Sequence, residues 1–380
     1  MLQTKLAIPP PRPALIPRPR LAERLNQGLV QGCKLALVSA PAGFGKTTLV
    51  SHWAQQAEQP VAWLSLDESD NDLIRFLSYF IAALQTIDAQ IGQGLQAAFQ
   101  SPEGVDIEAV LIALLNATAD LDTPIALVLD DYHVIGAQPI HDAMAFLLEH
   151  LPPNAHLLLL TRADPPFPLP RMRARGELLE IRERNLRCSL EETTAFLRTM
   201  TGADLSADFI QTLQSRTEGW IAALQLAALS MQGQDDPAGL IDTFGSGHHY
   251  IVEYLIEEVL NRQPEALRVF LMQTSILGRL NGSLCDALTG RADGDATLMH
   301  CDKANLFVSP LGGEYRWYRY HRLFADVVAN RLQRRHPDQV PGLHLRAAEW
   351  FRQHGLFDEA IKHALLAKAH TLAAEIVEEQ

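Results

Sequence analysis

Only four cysteines occur in 380 residues, Cys33, Cys188, Cys285 and Cys301, and none has a C-x-x-C neighbour. That spacing indicates neither a zinc site nor a disulfide framework, and a reducing cytoplasm suits it. Cationic excess is missing too: the formal net charge is −13, which argues against this segment gripping a nucleic-acid backbone by itself. No apolar run reaches the length of a membrane span, and Met1-Leu-Gln-Thr-Lys-Leu lacks the apolar centre of a signal peptide. The expectation is a soluble, cytoplasmic protein with no membrane partner. Its length predicts two to four domains, each able to bury a core.

What is present is an apolar strand running straight into a glycine-rich loop and a helix, Lys34-Leu-Ala-Leu-Val-Ser-Ala-Pro-Ala-Gly-Phe-Gly-Lys-Thr-Thr48. A triphosphate needs several inward-pointing donors. Gly43 and Gly45 let backbone N–H groups approach it, and the loop Ala42-Gly43-Phe44-Gly45-Lys46-Thr47-Thr48 is the candidate cradle. Lys46 supplies charge, Thr47 offers a hydroxyl to Mg²⁺, and the helix start turns its N–H groups and positive dipole end toward the phosphates. Ala40 stands where the usual pattern has its first glycine, which is tolerable if its φ stays negative.

A second run, Ile125-Ala-Leu-Val-Leu-Asp-Asp-Tyr-His133, ends an apolar strand in two acids. Ligands of open parallel sheets bind at the carboxyl ends of strands, so Asp130 is the candidate metal ligand. Asp131 is the candidate to orient or activate the water that attacks the γ-phosphate.

The pattern alternates from Lys34 onward: strand 34–39, helix 46–57, strand 61–66, helices near 72–86 and 105–121, strand 125–130, helix 139–150, strand 155–161 and strand 177–181. Such alternation predicts a parallel sheet covered on both faces by helices. Before it, the proline-rich Pro9–Arg20 stretch favours an extended path, followed by the helical spacing Leu21, Leu25, Leu29. Arg171, Arg173 and Arg175 follow Pro165, Pro166, Pro168 and Pro170, which mark a loop, and read as solvated or inter-domain charges. After Ser189 helical patterns dominate, except for Asn305-Leu-Phe-Val-Ser and Tyr315-Arg-Trp-Tyr-Arg-Tyr, a hairpin with its turn at Pro310-Leu-Gly-Gly in a winged-helix setting. His344–Ala369 reads as one helical hairpin of a repeat array. A lone hairpin cannot bury its outer face, so the chain is expected to stop at the start of a superhelix.

Together with Trp63-Leu-Ser-Leu-Asp-Glu-Ser-Asp70, Asp130-Asp-Tyr-His133, Thr161-Arg162, Glu218-Gly-Trp-Ile-Ala-Ala-Leu-Gln-Leu226 and Tyr320-His-Arg-Leu-Phe324, the phosphate loop resembles the P-loop ATPase core of the MalT-like, large LuxR-type regulators of the STAND class. The matches are ordered and span nearly the whole chain. The resemblance implies an α/β P-loop NTPase followed by an α-helical domain, a winged-helix domain and the start of a helical-repeat superhelix. The corresponding boundaries are 1–30 for an adenine-side segment, 31–185 for the ATPase domain, 186–262 for the helical domain, 263–338 for the winged helix and 339–380 for the first repeat.

It also implies roles. Arg162, just after a buried strand expected beside the phosphate loop, would be a sensor arginine reading the γ-phosphate; an ordinary surface ion pair is the alternative. His321 would contact the β-phosphate of ADP and lock a closed form, or be a structural histidine among aromatics. Arg322 follows it where the MalT pattern has proline. Gly219 and Trp220 would lie against the adenine, with core packing of Trp220 equally open, and Ile16 and Arg18 belong to a strip similar to one that wraps the base. Arg18 and Arg20 are otherwise solvated.

The implied cofactors are ATP or ADP and Mg²⁺, and the implied activity is slow, regulatory ATP hydrolysis catalysed through Lys46, Asp131 and Arg162. ADP would hold a resting monomer and ATP would drive self-association. An unknown inducer would act through missing C-terminal repeats, and DNA would be met only through a missing helix-turn-helix. A constitutive P-loop ATPase or kinase, a nucleotide-stabilised scaffold, and a STAND effector with a non-transcriptional output remain the alternatives.

Overall fold

The computed structural model describes residues 1–10, 16–95, 99, 106–231, 249–312 and 317–379. Residues 11–15, inside the proline-rich stretch, lie outside these. Two compact units divide the chain, Met1–Arg187 and Cys188–Gln380.

In the first unit five parallel strands form one sheet: β1 (Leu35–Ser39), β2 (Val61–Ser65), β3 (Ile125–Asp130), β4 (Ala155–Thr161) and β5 (Leu178–Arg182), in the order β2-β3-β4-β1-β5. Parallel strands need crossover connections, and the helices Lys46–Gln56, Leu73–Leu84, Ile107–Ala119 and Gln138–His150 provide them. Apolar residues without alternation suit strands covered on both sides. Leu35, Leu37, Leu157 and Leu159 join one core cluster with Phe76, Leu114 and Met144 from the helices. Ala36, Val38, Leu158 and Leu160, a residue out of phase, are equally buried.

The spacing of Leu21, Leu25 and Leu29 gives the helix Pro19–Val30, and all three side chains are buried. Further upstream, buried Lys5 ties the N-terminal segment to the β2 connection: its Nζ lies 2.5 Å from Asp70 Oδ2 and 2.7 Å from Asp67 Oδ2. The proline-marked loop proves partly helical. Leu169–Ala174 is a short helix with proline in its first turn, where a missing N–H costs nothing. Its arginines are paired, Arg171 with Glu149 and Arg173 with Glu180.

In the second unit, helices Leu190–Thr201, Ala207–Thr217 and Ile221–Met231 come first, the first opened by a Ser189/Glu192 capping box. Helices Glu265–Thr274, Gly282–Thr289, Gly294–Lys303 and Arg322–Arg335 accompany an antiparallel pair, β6 (Val308–Gly312) and β7 (Trp317–Tyr320). The expected turn is displaced: Pro310 pairs with Tyr318 and Gly312 with Trp317, around a bulge, so the strand continues through the Pro-Leu-Gly sequence. Pro310 is tolerated because β6 is an edge strand and its partner Tyr318 spends both backbone groups on Leu280, on the other side of β7. Asn305 and Phe307 have positive φ, which delays the strand start. Tyr315 and Arg316, expected in the second strand, lie outside the described residues. The C-terminal stretch holds three helices, Val340–Gln353, Phe357–Leu366 and His370–Glu379. Among the described residues no helix is long and apolar enough to cross a membrane.

Candidate functional site

The phosphate loop leaves β1 at Ser39 and enters the helix at Lys46. Gly43 and Gly45 have φ of 76° and 78°, a conformation in which a side chain is strained. Ala40 is not among the described residues with positive φ, so its methyl group is compatible with the loop. Ala42 and Phe44 are buried, and Thr48 is half-buried on the first helical turn. Lys46, 7% exposed, donates to the carbonyls of Ala40 at 2.8 Å and Pro41 at 3.0 Å. Burial pushes its ammonium down to about 8, the nearby Arg162 charge adds to this, and Asp131 and Asp130 oppose it. A buried lysine satisfied only by carbonyls, with a second cation beside it, is an arrangement that an anion would stabilise.

Thr47 Oγ1 donates to Asp130 Oδ1 at 3.0 Å. Asp130 ends β3 almost fully buried, and burial together with the Asp131 charge pushes its carboxyl up to about 6 against the Thr47 hydrogen bond. Asp131 has φ 57° and ψ 36°, left-handed for a residue with a side chain. Its backbone N–H donates to Asp130 Oδ1 at 3.0 Å, which leaves its own carboxylate half exposed. The two acids therefore differ: Asp130 faces the loop threonine, while Asp131 is solvated, with His133 Nδ1 3.7 Å away.

Hard oxygen donors from Thr47 and Asp130 suit Mg²⁺, which usually takes one or two carboxylates and completes its shell with phosphates and water. Among the described residues no group of three His, Cys, Asp or Glu is arranged to hold a metal. Arg162 follows β4, which pairs with β1 and so lies next to the phosphate loop, as its sequence context predicts.

The remaining candidates are distributed. Ile16 is half-buried. Arg18 is buried, contrary to a solvated reading, because its Nη1 donates to the Leu186 carbonyl at 3.0 Å; Arg20, exposed, donates to that of Asn185 at 3.1 Å. In the second unit Trp220 is fully buried, with Tyr254, Phe307 and His321 around its ring. Gly219 has φ 71°, and a Cβ there would sit 2.5 Å from the Cys188 carbonyl oxygen. His321, 3% exposed, has Nε2 3.1 Å from the Thr217 carbonyl; a carbonyl can only accept, so this nitrogen carries the proton. One partnership had no local sequence signal. Glu218 accepts from both Arg319 nitrogens at 2.7 Å and from the Arg322 N–H at 3.1 Å.

The AAA ATPase domain family matches residues 18–160 and the MalT winged helix domain family matches residues 256–340. The chain is 35% identical over 367 residues to the HTH-type transcriptional regulator MalT of Vibrio cholerae, covering 95% of this chain and 40% of that protein. It is 33% identical over 372 residues to the serine/threonine-protein kinase PknK of Mycobacterium tuberculosis, covering 97% of this chain and 33% of that protein. The chain thus spans well under half the length of these relatives. Among solved structures, a Walker-type ATPase of Pyrococcus abyssi shares the fold, with a TM-score of 0.57 at 14% identity over 84% of this chain and 97% of that one.

Proposed function

Because the chain belongs to the MalT-like STAND ATPases, we propose that it is the nucleotide-dependent switch of a transcriptional regulator, bound to ADP at rest and to ATP when induced. The observation that carries this reading is the Thr47–Asp130 hydrogen bond beside buried Lys46, which gathers the hydroxyl, carboxylate and ammonium that a magnesium nucleotide requires. Thr47 and Asp130 would hold Mg²⁺, which neutralises phosphate charge when bound. Lys46 binds and orients the β- and γ-phosphates. Asp131, solvated and next to the metal ligand, orients the attacking water and takes its proton, and Arg162 stabilises charge on the transferring phosphoryl group.

In this proposal bound ADP keeps the protein monomeric, inducer and ATP drive self-association, and slow hydrolysis resets the switch. Moving such an equilibrium from mostly closed to mostly open takes about 5.5 kcal/mol of differential binding. The inducer and any DNA would be met by parts of the protein beyond this segment. A second reading has a specific observation in its favour: the kinase relative matches over 372 residues, 97% of this chain, much as the regulator does, so the core also suits a non-transcriptional output.

The test is to purify the protein without added nucleotide, denature it and identify what is released. Stoichiometric ADP, followed by slow turnover of added ATP, is the expected result. An empty protein with fast, inducer-independent turnover would leave an ordinary ATPase and remove the switch.

A further inference from the structure

The carboxyl ends of β1, β4 and β5 meet at one carboxylate. Sheet register sets Ser39 beside Thr161 on one side and beside Arg182 on the other, so three strand ends lie side by side where β1 enters the phosphate loop. Asp164, just beyond β4, reaches into this row. Its Oδ1 accepts from Ser39 Oγ at 3.1 Å. Arg182 grips both carboxylate oxygens, Nη1 on Oδ1 and Nη2 on Oδ2, the latter at 3.1 Å. Glu180 braces Arg182 from its own strand at 2.6 Å and also takes both nitrogens of Arg173 at 2.8 and 3.0 Å. These arginines hold the Glu180 carboxyl down at about 2, so the brace stays ionised at neutral pH.

Arg162 lies inside what this network fixes. On one side Thr161, fully buried, donates its hydroxyl to the Ala163 carbonyl at 2.6 Å and accepts from the Ala163 N–H at 3.2 Å. The Ala40 N–H, the first of the phosphate loop, donates to the Thr161 carbonyl at 3.3 Å. On the other side stands the clamped Asp164. The backbone flanking Arg162 is therefore pinned at both ends to the strand that delivers the loop. A long arginine side chain has much rotamer freedom, so its reach depends on where its Cα is held.

We propose that Asp164 is the positioning residue for Arg162: clamped by Arg182 and Ser39, it holds the 161–164 turn so that the Arg162 guanidinium reads the γ-phosphate of a bound nucleotide. The proposal rests on the nucleotide-switch reading above. It goes further by naming the device that makes the site discriminate ATP from ADP. A merely structural brace would lower affinity for both nucleotides together with stability. A positioning residue lowers only the preference for the third phosphate.

The experiment measures the dissociation constants of ADP and ATPγS with Mg²⁺, and the melting temperature, for the whole chain and for Arg162→Ala, Asp164→Ala, Asp164→Asn, Arg182→Lys and the Arg162→Ala/Asp164→Ala pair. Arg162→Ala and Asp164→Ala should each lower the ATPγS-over-ADP preference about tenfold or more, the size of one charge-assisted hydrogen bond. ADP affinity should stay within about threefold, and the double variant should be no worse than Arg162→Ala alone, as coupled residues require. Arg182→Lys keeps the charge but loses the fork and should fall between. Asp164→Asn keeps the Ser39 acceptor and the side-chain shape, and serves if the alanine variant does not fold. Multiplicative losses in the double variant, an equal fall in ADP affinity, or an unchanged preference on changing Asp164 would overturn the proposal. Failure of the underlying reading looks different: wild-type protein that binds neither nucleotide, or an Arg162→Ala preference equal to wild type, removes the γ-phosphate reader itself and the proposal with it.

Discussion

Thr47 and Asp130, 83 residues apart in sequence, share one hydrogen bond of 3.0 Å in which the hydroxyl donates and the buried carboxylate accepts. The pair joins the helix after the phosphate loop to the end of β3, and a magnesium ion would take the same two oxygens. Binding the ion thus replaces an existing contact, and the carboxylate is held in readiness at some cost to the free fold.

That cost gives the first prediction. Burial raises the Asp130 carboxyl to about 6, so at pH 7.5 it remains ionised but its charge is held less favourably in the fold than in the unfolded chain. Asp130→Asn should therefore raise the unfolding free energy of the nucleotide-free protein, by at most about 2–3 kcal/mol for a shift of this size, while abolishing the Mg²⁺ dependence of ATPγS binding. Urea unfolding at pH 7.5 checks the first part and titration with and without EDTA the second. A destabilised variant would mean that the Thr47 bond outweighs desolvation.

Asp131 is solvated and makes few contacts, so Asp131→Asn should leave ATP affinity within about threefold and slow single-turnover hydrolysis by about a hundredfold or more, the usual worth of a positioned base. Equal losses of binding and turnover would assign Asp131 a structural role.

For His321, glutamine is more informative than alanine, since its amide can still donate to the Thr217 carbonyl that the ring now satisfies. His321→Gln should speed release of fluorescent ADP about tenfold, with a melting temperature near wild type. Unchanged release would leave the histidine as a core residue of the Trp220 and Phe307 cluster.

Glu218→Ala should loosen the second unit by about 1–3 kcal/mol, because it frees Arg319 and uncaps the helix beginning at Arg322. Glu218→Gln, which keeps an oxygen acceptor for that N–H, should recover part of the loss. Hydrogen exchange across 322–335 reads both variants.

The C-terminal helices carry a pH dependence. His344 and His363 face each other, Nδ1 to Nδ1, at 2.8 Å, and burial pushes His363 down to about 4 and His344 below its ordinary value. The unfolded chain then binds more protons between about pH 6.5 and 4, so the helices are fully stable above 6.5 and weaken as pH falls through that window. Limited proteolysis of 340–379 at pH 7 and pH 5 should show this, and His363→Leu should flatten the difference. Lys362, whose charge also lowers both histidines, is the other charged group shaping it.

Local chemistry decided much of this protein in its sequence alone. The apolar run into Gly43, Gly45, Lys46 and Thr47 specifies strand, loop and helix through backbone sterics and charge. Alternating strand and helix periods specify a covered parallel sheet. The acids Asp130 and Asp131 announce themselves by ending an apolar strand. Signals of this kind depend only on near neighbours, which is why the β1 and β3 elements lie within a residue of their expected bounds. Mixed local signals are weaker guides: the prolines before Arg171 conceal a short helix, and the chain passes as strand through Pro310, a residue that favours a turn.

Tertiary structure decided what meets. The order β2-β3-β4-β1-β5 brings Ser39 against Asp164, 125 residues along the chain, and sets Arg182 opposite both. Folding likewise gave Arg18 a carbonyl partner and Glu218 its arginine. No periodicity encodes these pairings, because strand order follows from which long-range burial is most favourable for the whole sheet. The phosphate-loop motif is written in a dozen residues, whereas the clamp proposed to make it discriminate exists only once three distant strand ends lie side by side.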